Sequence, residues 1–251
     1  MGLLLTIIFG LLGAAVGSFL NVCIDRLPAG KSLVYPPSFC ESCQRRISPT
    51  ELIPVFSYLW LRGRCRHCGA RIPLRVFLVE LAAALVFILL FWYYGLSAHF
   101  GVTVFYFCLF IVLGVIDLEH RLILNKIVYP TTIVVLLIDA FLSSFGIISG
   151  LIGMAIGFIF LLIPVIATRG RGMGFGDVKL AGLIGLVTGF PLLIVALFIG
   201  VILGGLVAIF LLVLRIKKRK EAIPFGPFLA LGTMATLVWG NALLDWYLGL
   251  L

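Results

Sequence analysis

Apolar runs long enough to cross a bilayer recur along the whole chain, and they constrain its fold more than any other feature. A membrane-spanning helix needs about 20 consecutive apolar residues, because the hydrocarbon core is about 30 Å thick. Hydrophobic residues make up 63% of the 251 residues, and charged residues only 12%. Since lipid offers no hydrogen-bond partner to an open backbone, apolar runs of this length form helices. The sequence therefore predicts an all-α polytopic membrane protein.

About eight transmembrane helices can be placed on these runs. They cover residues 2–22, 74–95, 100–117, 127–144, 147–167, 177–190, 192–214 and 225–248. The first run lacks the basic start and the small-residue cleavage site of a signal peptide, so we expect a retained helix. The chain then divides into a first transmembrane helix at 1–22, an extramembrane segment at 23–73 and a seven-helix membrane domain at 74–251.

The lysines and arginines indicate which loops face the cytoplasm. All 19 lie within or beside the alternate loops 23–73, 118–126, 168–176 and 215–224, and the opposite loops carry none. Because loops rich in Lys and Arg stay in the cytoplasm, we expect these loops there and both termini on the other side. The net charge of +9 suits the anionic headgroups beside such loops, so we expect no nucleic-acid partner. We interpret the basic run 215–220 likewise as a topology anchor.

Four cysteines in the 23–73 segment have the spacing of a structural zinc site. Cys40 and Cys43 form one Cys-x2-Cys pair, Cys65 and Cys68 form a second, and 21 residues separate the pairs. Four thiolates arranged in this way hold zinc in ribbon-like folds, and a segment this short needs such support. Disulfides and thiol redox chemistry are the alternatives, and a reducing cytoplasm argues against disulfides. We expect a small zinc-ribbon-like insertion between the first two membrane helices.

Two aspartates at the membrane edge are the catalytic candidates. Asp117 ends the third run, and Asp177 follows Gly174-Phe175-Gly176 at the start of the sixth. A carboxylate beside hydrocarbon is costly and marks a candidate functional site, and two close carboxylates can share a proton and activate water. Asp177 could instead cap its helix, and Asp117 could simply end one in water. The sixth run is only about 20 Å long, so we expect Asp177 below the membrane surface in a water-filled cavity.

Several further motifs, taken with these features, resemble the type 4 prepilin peptidases, a family of membrane aspartic proteases with a Gly-x-Gly-Asp signature. The resemblance covers nearly the full chain. In order, its motifs are Gly17-Ser18-Phe19-Leu20-Asn21-Val22, Arg26-Leu27-Pro28, Pro36-Pro37-Ser38-Phe39-Cys40, Arg62-Gly63-Arg64-Cys65-Arg66-His67-Cys68, Gly174-Phe175-Gly176-Asp177 and Ile223-Pro224-Phe225-Gly226-Pro227-Phe228. Presenilin-like proteases share the tetrad, whereas the cysteine pairs in this order make the match specific. The family's Asp-x-Glu-His segment commonly continues into a proline, where this chain has Leu122, so the loop lacks proline's fixed φ.

The resemblance implies an endopeptidase of the bacterial inner membrane. Such enzymes cut prepilin or pseudopilin precursors on the cytoplasmic side, after a glycine between a short basic leader and an apolar helix. One of Asp117 and Asp177 would take a proton from water while the other polarises the scissile carbonyl, with the roles left open. Gly174 and Gly176 would let the substrate backbone approach closely. Relatives with the cysteine domain often also methylate the new amino terminus with S-adenosylmethionine, an expectation that rests on the resemblance alone.

Two other classes of function fit parts of the sequence. A transporter or channel would use Asp117, Asp177 and Asp139 as a proton or cation path, although the first two share one membrane edge instead of spanning its depth. A metal-binding scaffold for pilus or secretion assembly would need no catalytic acid. Glu80, in the second run, could assist the catalytic group, pair with Arg75 or bond to another helix. The sequence leaves open which precursor is cut and which oligomer forms.

Overall fold

The structure, a computed structural model, describes residues 2–142, 146–170, 173–214 and 223–250, so the basic run 215–220 and Arg171 lie outside it. Within these ranges most of the chain is helical. Helices α1 to α9 run Gly2–Arg26, Phe56–Trp60, Leu74–Tyr94, Ala98–His120, Asn125–Phe141, Gly146–Ala167, Phe175–Thr188, Leu192–Val213 and Gly226–Leu248, with a 3-10 helix at Pro49–Leu52. No strand forms in the described ranges, where two isolated antiparallel bridges join Phe39 to Arg46 and Arg64 to Arg71. The predicted all-α class is confirmed.

Six helices in the described part of the chain are long and apolar enough to cross a bilayer, namely α1, α3, α4, α6, α8 and α9. They make the chain a multi-pass membrane protein. The fourth and sixth predicted spans also form helices, but α5 has 17 residues and α7 has 14, fewer than the roughly 20 that a span needs. The prediction of eight crossings is therefore confirmed only in part.

Met1–Val112 form the first of two compact units, and α1 packs along α3 within it. Glycines on α1 allow the two helices to approach closely. A methyl group at Gly13 would lie 2.7 Å from the carbonyl oxygen of Ala83, and one at Gly17 would lie 2.7 Å from Cα of Glu80. Any larger residue at these positions would push the helices apart, so glycine serves packing here.

Leu113–Leu251 form the second unit, which is built around α7. This helix contacts α5, α6, α8 and α9, and each of its residues from 180 to 188 is buried. On the α6 side the backbones touch, because a methyl group at Gly153 would collide with the carbonyl group of Gly185. Protein surrounds α7 on several sides, so bilayer thickness does not set the length of this helix.

Candidate active site

Asp117 lies in the last turn of α4 and is almost fully buried, with 6% of its surface exposed. The backbone N–H of Gly226, the first residue of α9, donates a hydrogen bond of 2.9 Å to Asp117 Oδ2. This donor is available because the first N–H groups of a helix have no partner within it. A methyl group at position 226 would lie only 2.6 Å from the same oxygen, so the contact depends on glycine.

Asp177 is the third residue of α7 and is half-buried. Its backbone N–H donates to the carbonyl oxygen of Gly174 at 3.2 Å, and its carboxylate interacts with the backbone N–H of Gly174 in return. This interaction is the one that the capping alternative predicts. The contact holds the side chain at the beginning of the helix, where solvent still reaches it.

The structure brings Asp117 and Asp177 together at the ends of two helices of the second unit. Their carboxylates lie close enough for their charges to interact, and the charge of Arg121 also acts on Asp117. Two carboxylates whose charges interact resist simultaneous ionisation. A buried acid held by a backbone donor next to a solvent-accessible acid is an arrangement that can activate a water molecule.

The two glycines before Asp177 have different surroundings. A methyl group at Gly176 would lie 3.0 Å from the side chain of Ile123, so this glycine makes room for the loop after α4. Gly174 is exposed and has an extended backbone, with φ −81° and ψ 154°. A methyl group there would meet nothing closer than 3.9 Å. Of these two glycines, Gly174 therefore presents the open backbone.

Lys179 links α7 to the beginning of α5, a contact that sequence reasoning missed. Its Nζ donates a hydrogen bond of 2.8 Å to Asn125 Oδ1. The same ammonium lies 5.6 Å from the ring centroid of Tyr129 and 5.3 Å from that of Phe175. Cation–π contacts of this length add to the hydrogen bond. Lys179 follows Asp177 by two residues, so the link steadies the turn that carries the acid.

Asp139 is not part of this pair. It is buried near the opposite end of α5, where a methyl group at Gly150 of α6 would lie 2.7 Å from its Oδ2. From Asn125 at the beginning of α5 to Asp139 the helix rises about 21 Å. Asp139 therefore packs against α6, away from the catalytic candidates.

The four cysteines of the 23–73 segment come together, and their sulfur atoms all lie within 4.8 Å of one another. Tetrahedral zinc with Zn–S bonds of about 2.3 Å separates sulfurs by about 3.8 Å, and the Sγ atoms of Cys40 and Cys68 lie 3.7 Å apart. That separation is far beyond a disulfide bond, and all four thiols are free. The backbone N–H groups of Cys43 and Ser42 lower the pKa of the Cys40 thiol to about 7, which favours the metal-binding thiolate. The cluster can hold a metal ion.

Glu80 connects the metal-binding segment to the helices of the first unit. It is buried, accepts a hydrogen bond of 2.7 Å from the backbone N–H of Val55, and bonds to the side chain of Ser18 on α1. Of the roles left open by the sequence, the bond to another helix is the one observed. Arg75 donates hydrogen bonds to Asp25 and Asn21.

Two family models match the chain. The model described as the Bacterial Peptidase A24 N-terminal domain matches residues 11–94, and that of the Type IV leader peptidase family matches residues 104–209. The four cysteines fall in the first range and both catalytic candidates in the second.

Curated relatives match over nearly their whole length. A Bacillus subtilis (strain 168) protein named Prepilin leader peptidase/N-methyltransferase is 34% identical over 98% of this chain and 98% of its own. A Pseudomonas aeruginosa protein of the same name is 32% identical, covering 95% of this chain and 91% of its own. Another, from Pseudomonas putida, is 33% identical, covering 92% of this chain and 89% of its own. No solved structure matches significantly.

Proposed function

The chain belongs to the type IV leader peptidase family, and from this premise we propose that it removes the leader of prepilin-like precursors by aspartic-protease chemistry at Asp117 and Asp177. The observation that carries the proposal is that the two carboxylates lie near enough for the charge of Asp117 to act on Asp177. The substrate is a short basic leader followed by an apolar helix, cut after a glycine. Precursors of this kind include pilins and pseudopilins.

In the proposed reaction, the two acids share one proton before the substrate arrives. The ionised carboxylate takes a proton from water as the water oxygen attacks the scissile carbonyl carbon. The protonated carboxylate donates a hydrogen bond to the carbonyl oxygen and stabilises the charge that develops there. Transfer of a proton to the leaving amine then lets the C–N bond break. Because the N–H of Gly226 fixes Oδ2 of Asp117, this acid is oriented in advance.

The substrate backbone approaches along Gly174. This residue is exposed and extended, so its peptide groups can pair with an extended segment around the scissile bond. Gly176 contributes indirectly, since its lack of a side chain lets the Ile123 loop lie against α7. The two glycines of the signature therefore have separate tasks in this proposal.

The enzyme is placed in the bacterial cytoplasmic membrane with the aspartate pair on the cytoplasmic side. The distribution of all 19 basic residues over alternate loops supports this side, and with eight crossings it also supports both termini outside the cytoplasm. Eight crossings satisfy the pattern if α5 and α7 complete the six long helices. Residues 23–73 then form a cytoplasmic insertion between the first helix and the remaining seven.

Two cofactors follow from the residues and the relatives. Zinc is the metal that four clustered thiolates prefer, and its role in residues 23–73 is structural. The names of the relatives include N-methyltransferase. We therefore assign a second reaction, in which a methyl group leaves the sulfonium of S-adenosylmethionine and bonds to the new terminal amine, which loses a proton.

The test uses the full chain in nanodiscs with a prepilin-like substrate, with the product identified by mass spectrometry. We expect Asp117→Asn and Asp177→Asn each to slow cleavage by about 1000-fold or more, as for loss of an essential acid or base. Asp139→Asn is the matched control, because it changes another buried aspartate of the second unit. Cleavage that survives in both of the first two variants would refute the proposal. An uncleaved substrate with the wild-type chain would favour the transporter or scaffold alternatives.

A further inference from the structure

Helix α2 is fixed beside the beginning of α3 by three contacts within the first unit. The backbone N–H of Val55 donates to Glu80 at 2.7 Å, the rings of Tyr58 and Phe77 stack with centroids 5.2 Å apart, and the Tyr58 hydroxyl donates to the Ile72 carbonyl at 3.4 Å. Helix α3 is long and apolar enough to cross a bilayer. Phe77 and Glu80 lie within its first two turns, about 9 Å along the helix axis. Helix α2 therefore lies where α3 enters the membrane.

At this level α2 exposes large apolar side chains. Phe56 is 61% exposed, Leu59 58% and Trp60 88%, and we call these three residues the α2 patch. Exposed apolar patches mark interaction surfaces, and tryptophan favours the headgroup level of a membrane. Because the patch lies beside the first turns of α3, we expect it to contact lipid at the membrane boundary.

An open cleft of about 620 Å³ lies beside the patch. Arg62, Arg64 and Arg71 line it and are exposed, and we call them the arginine cleft. Leu74, the first residue of α3, lines it as well, so the cleft opens at the same membrane level. None of its lining residues is acidic. A guanidinium group can donate two parallel hydrogen bonds to the oxygens of one phosphate. A phosphate group is therefore the ligand that suits this site.

The backbone around the cleft gives an independent reason to expect an anion. Arg64 and Arg71 face each other in an isolated antiparallel bridge. Like charges directly opposite each other across such a pair destabilise it. A phosphate between the two guanidinium groups would turn this repulsion into two attractive contacts.

We propose that the arginine cleft binds the anionic phosphodiester headgroup of a bilayer phospholipid while the α2 patch lies at its acyl boundary. A lipid of the phosphatidylglycerol class fits best, because a zwitterionic headgroup carries an ammonium group that the arginines repel. The bound lipid would hold the metal-binding segment against the membrane. The inference does not depend on the peptidase chemistry, since every residue involved lies in the first unit.

The test follows the fluorescence of Trp60 in the full-length chain. The chain has four tryptophans, so the other three are changed to phenylalanine (W92F, W239F and W246F). Nanodiscs contain equal parts of phosphatidylglycerol and phosphatidylcholine, with bromine on the acyl chains of one lipid or the other. Bromine quenches tryptophan on contact, so the two preparations report which lipid lies beside Trp60. We expect at least about twofold stronger quenching by brominated phosphatidylglycerol, since each added charge contact favours anionic lipid.

The triple variant R62Q/R64Q/R71Q should abolish this preference while quenching by both lipids persists. The charge-matched control K31Q/R45Q/R46Q, which leaves the cleft intact, should keep it. Thermal unfolding of each variant reports correct folding. The single variant R64Q replaces the triple variant if the triple variant does not fold. Absence of quenching by either lipid, equal quenching by both, or a preference that survives loss of the cleft arginines would each overturn the proposal.

Discussion

Replacing Gly226 with alanine crowds Asp117 without changing any acid. The added methyl group would lie 2.6 Å from Oδ2, 3.0 Å from Cγ and 3.2 Å from Cβ of Asp117. Carbon contacts are comfortable at about 3.5 Å or more, so the carboxylate must move by nearly 1 Å. A displacement of about 1 Å at a reacting group costs about 100-fold in rate, or about 2.7 kcal/mol of transition-state stabilisation.

Gly150→Ala provides a matched control, because its methyl group would lie 2.7 Å from Oδ2 of Asp139, an aspartate outside the proposed site. Single-turnover cleavage of a prepilin-like substrate and thermal unfolding are measured for both variants in nanodiscs. Overpacking of this kind lowers stability by about 1–3 kcal/mol, which both variants should show. Only Gly226→Ala should lose about 100-fold in cleavage. Equal effects of the two changes on cleavage would show that the Gly226 contact does not position a catalytic group.

Three further changes probe the supporting contacts. Glu80→Ala should lower the free energy of unfolding by about 1–3 kcal/mol, because a peptide N–H loses its acceptor. Glu80→Gln keeps an acceptor and should lower that free energy less. Equal losses in the two variants would contradict this role for Glu80. Lys179→Met and Asn125→Ala should each slow cleavage about tenfold, and the double variant should slow it no more than either single variant. Additive effects would show that the two side chains act separately. Cys43→Ser should release bound zinc, whereas Cys108→Ser should retain it, as measured by metal analysis under reducing conditions. Full metal content in Cys43→Ser would argue against a four-thiolate site.

The helices follow from the sequence because lipid leaves an apolar run little alternative. The predicted run 74–95 corresponds to α3 at Leu74–Tyr94, and 192–214 corresponds to α8 at Leu192–Val213. The number of crossings could not be read in the same way. A helix covered by protein, such as α7, is as apolar as one that faces lipid, so hydropathy does not distinguish them. The division of the chain at residues 22 and 73 stays a prediction.

The candidate site was predictable where side chains carry the signal. Both aspartates were identified by their cost at a membrane edge, and the cysteine pairs by their spacing. The donor to Asp117 left no such signal, because a backbone N–H belongs to every residue type except proline and Gly226 lies 109 residues further along the chain. Likewise, nothing in the signature separates Gly174, which is open, from Gly176, which makes room for a loop.

The position of α7 among its neighbours determines when the candidate site is completed during synthesis. Helix α7 is covered partly by α8 and α9, which are made after it. The donor to Asp117 is the first residue of α9, the last helix in the described chain. Translation therefore yields both aspartates well before the backbone donor that holds Asp117. A nascent chain that ends before α9 carries Asp117 without this donor, so the proposed chemistry would begin only after the last described helix has been made.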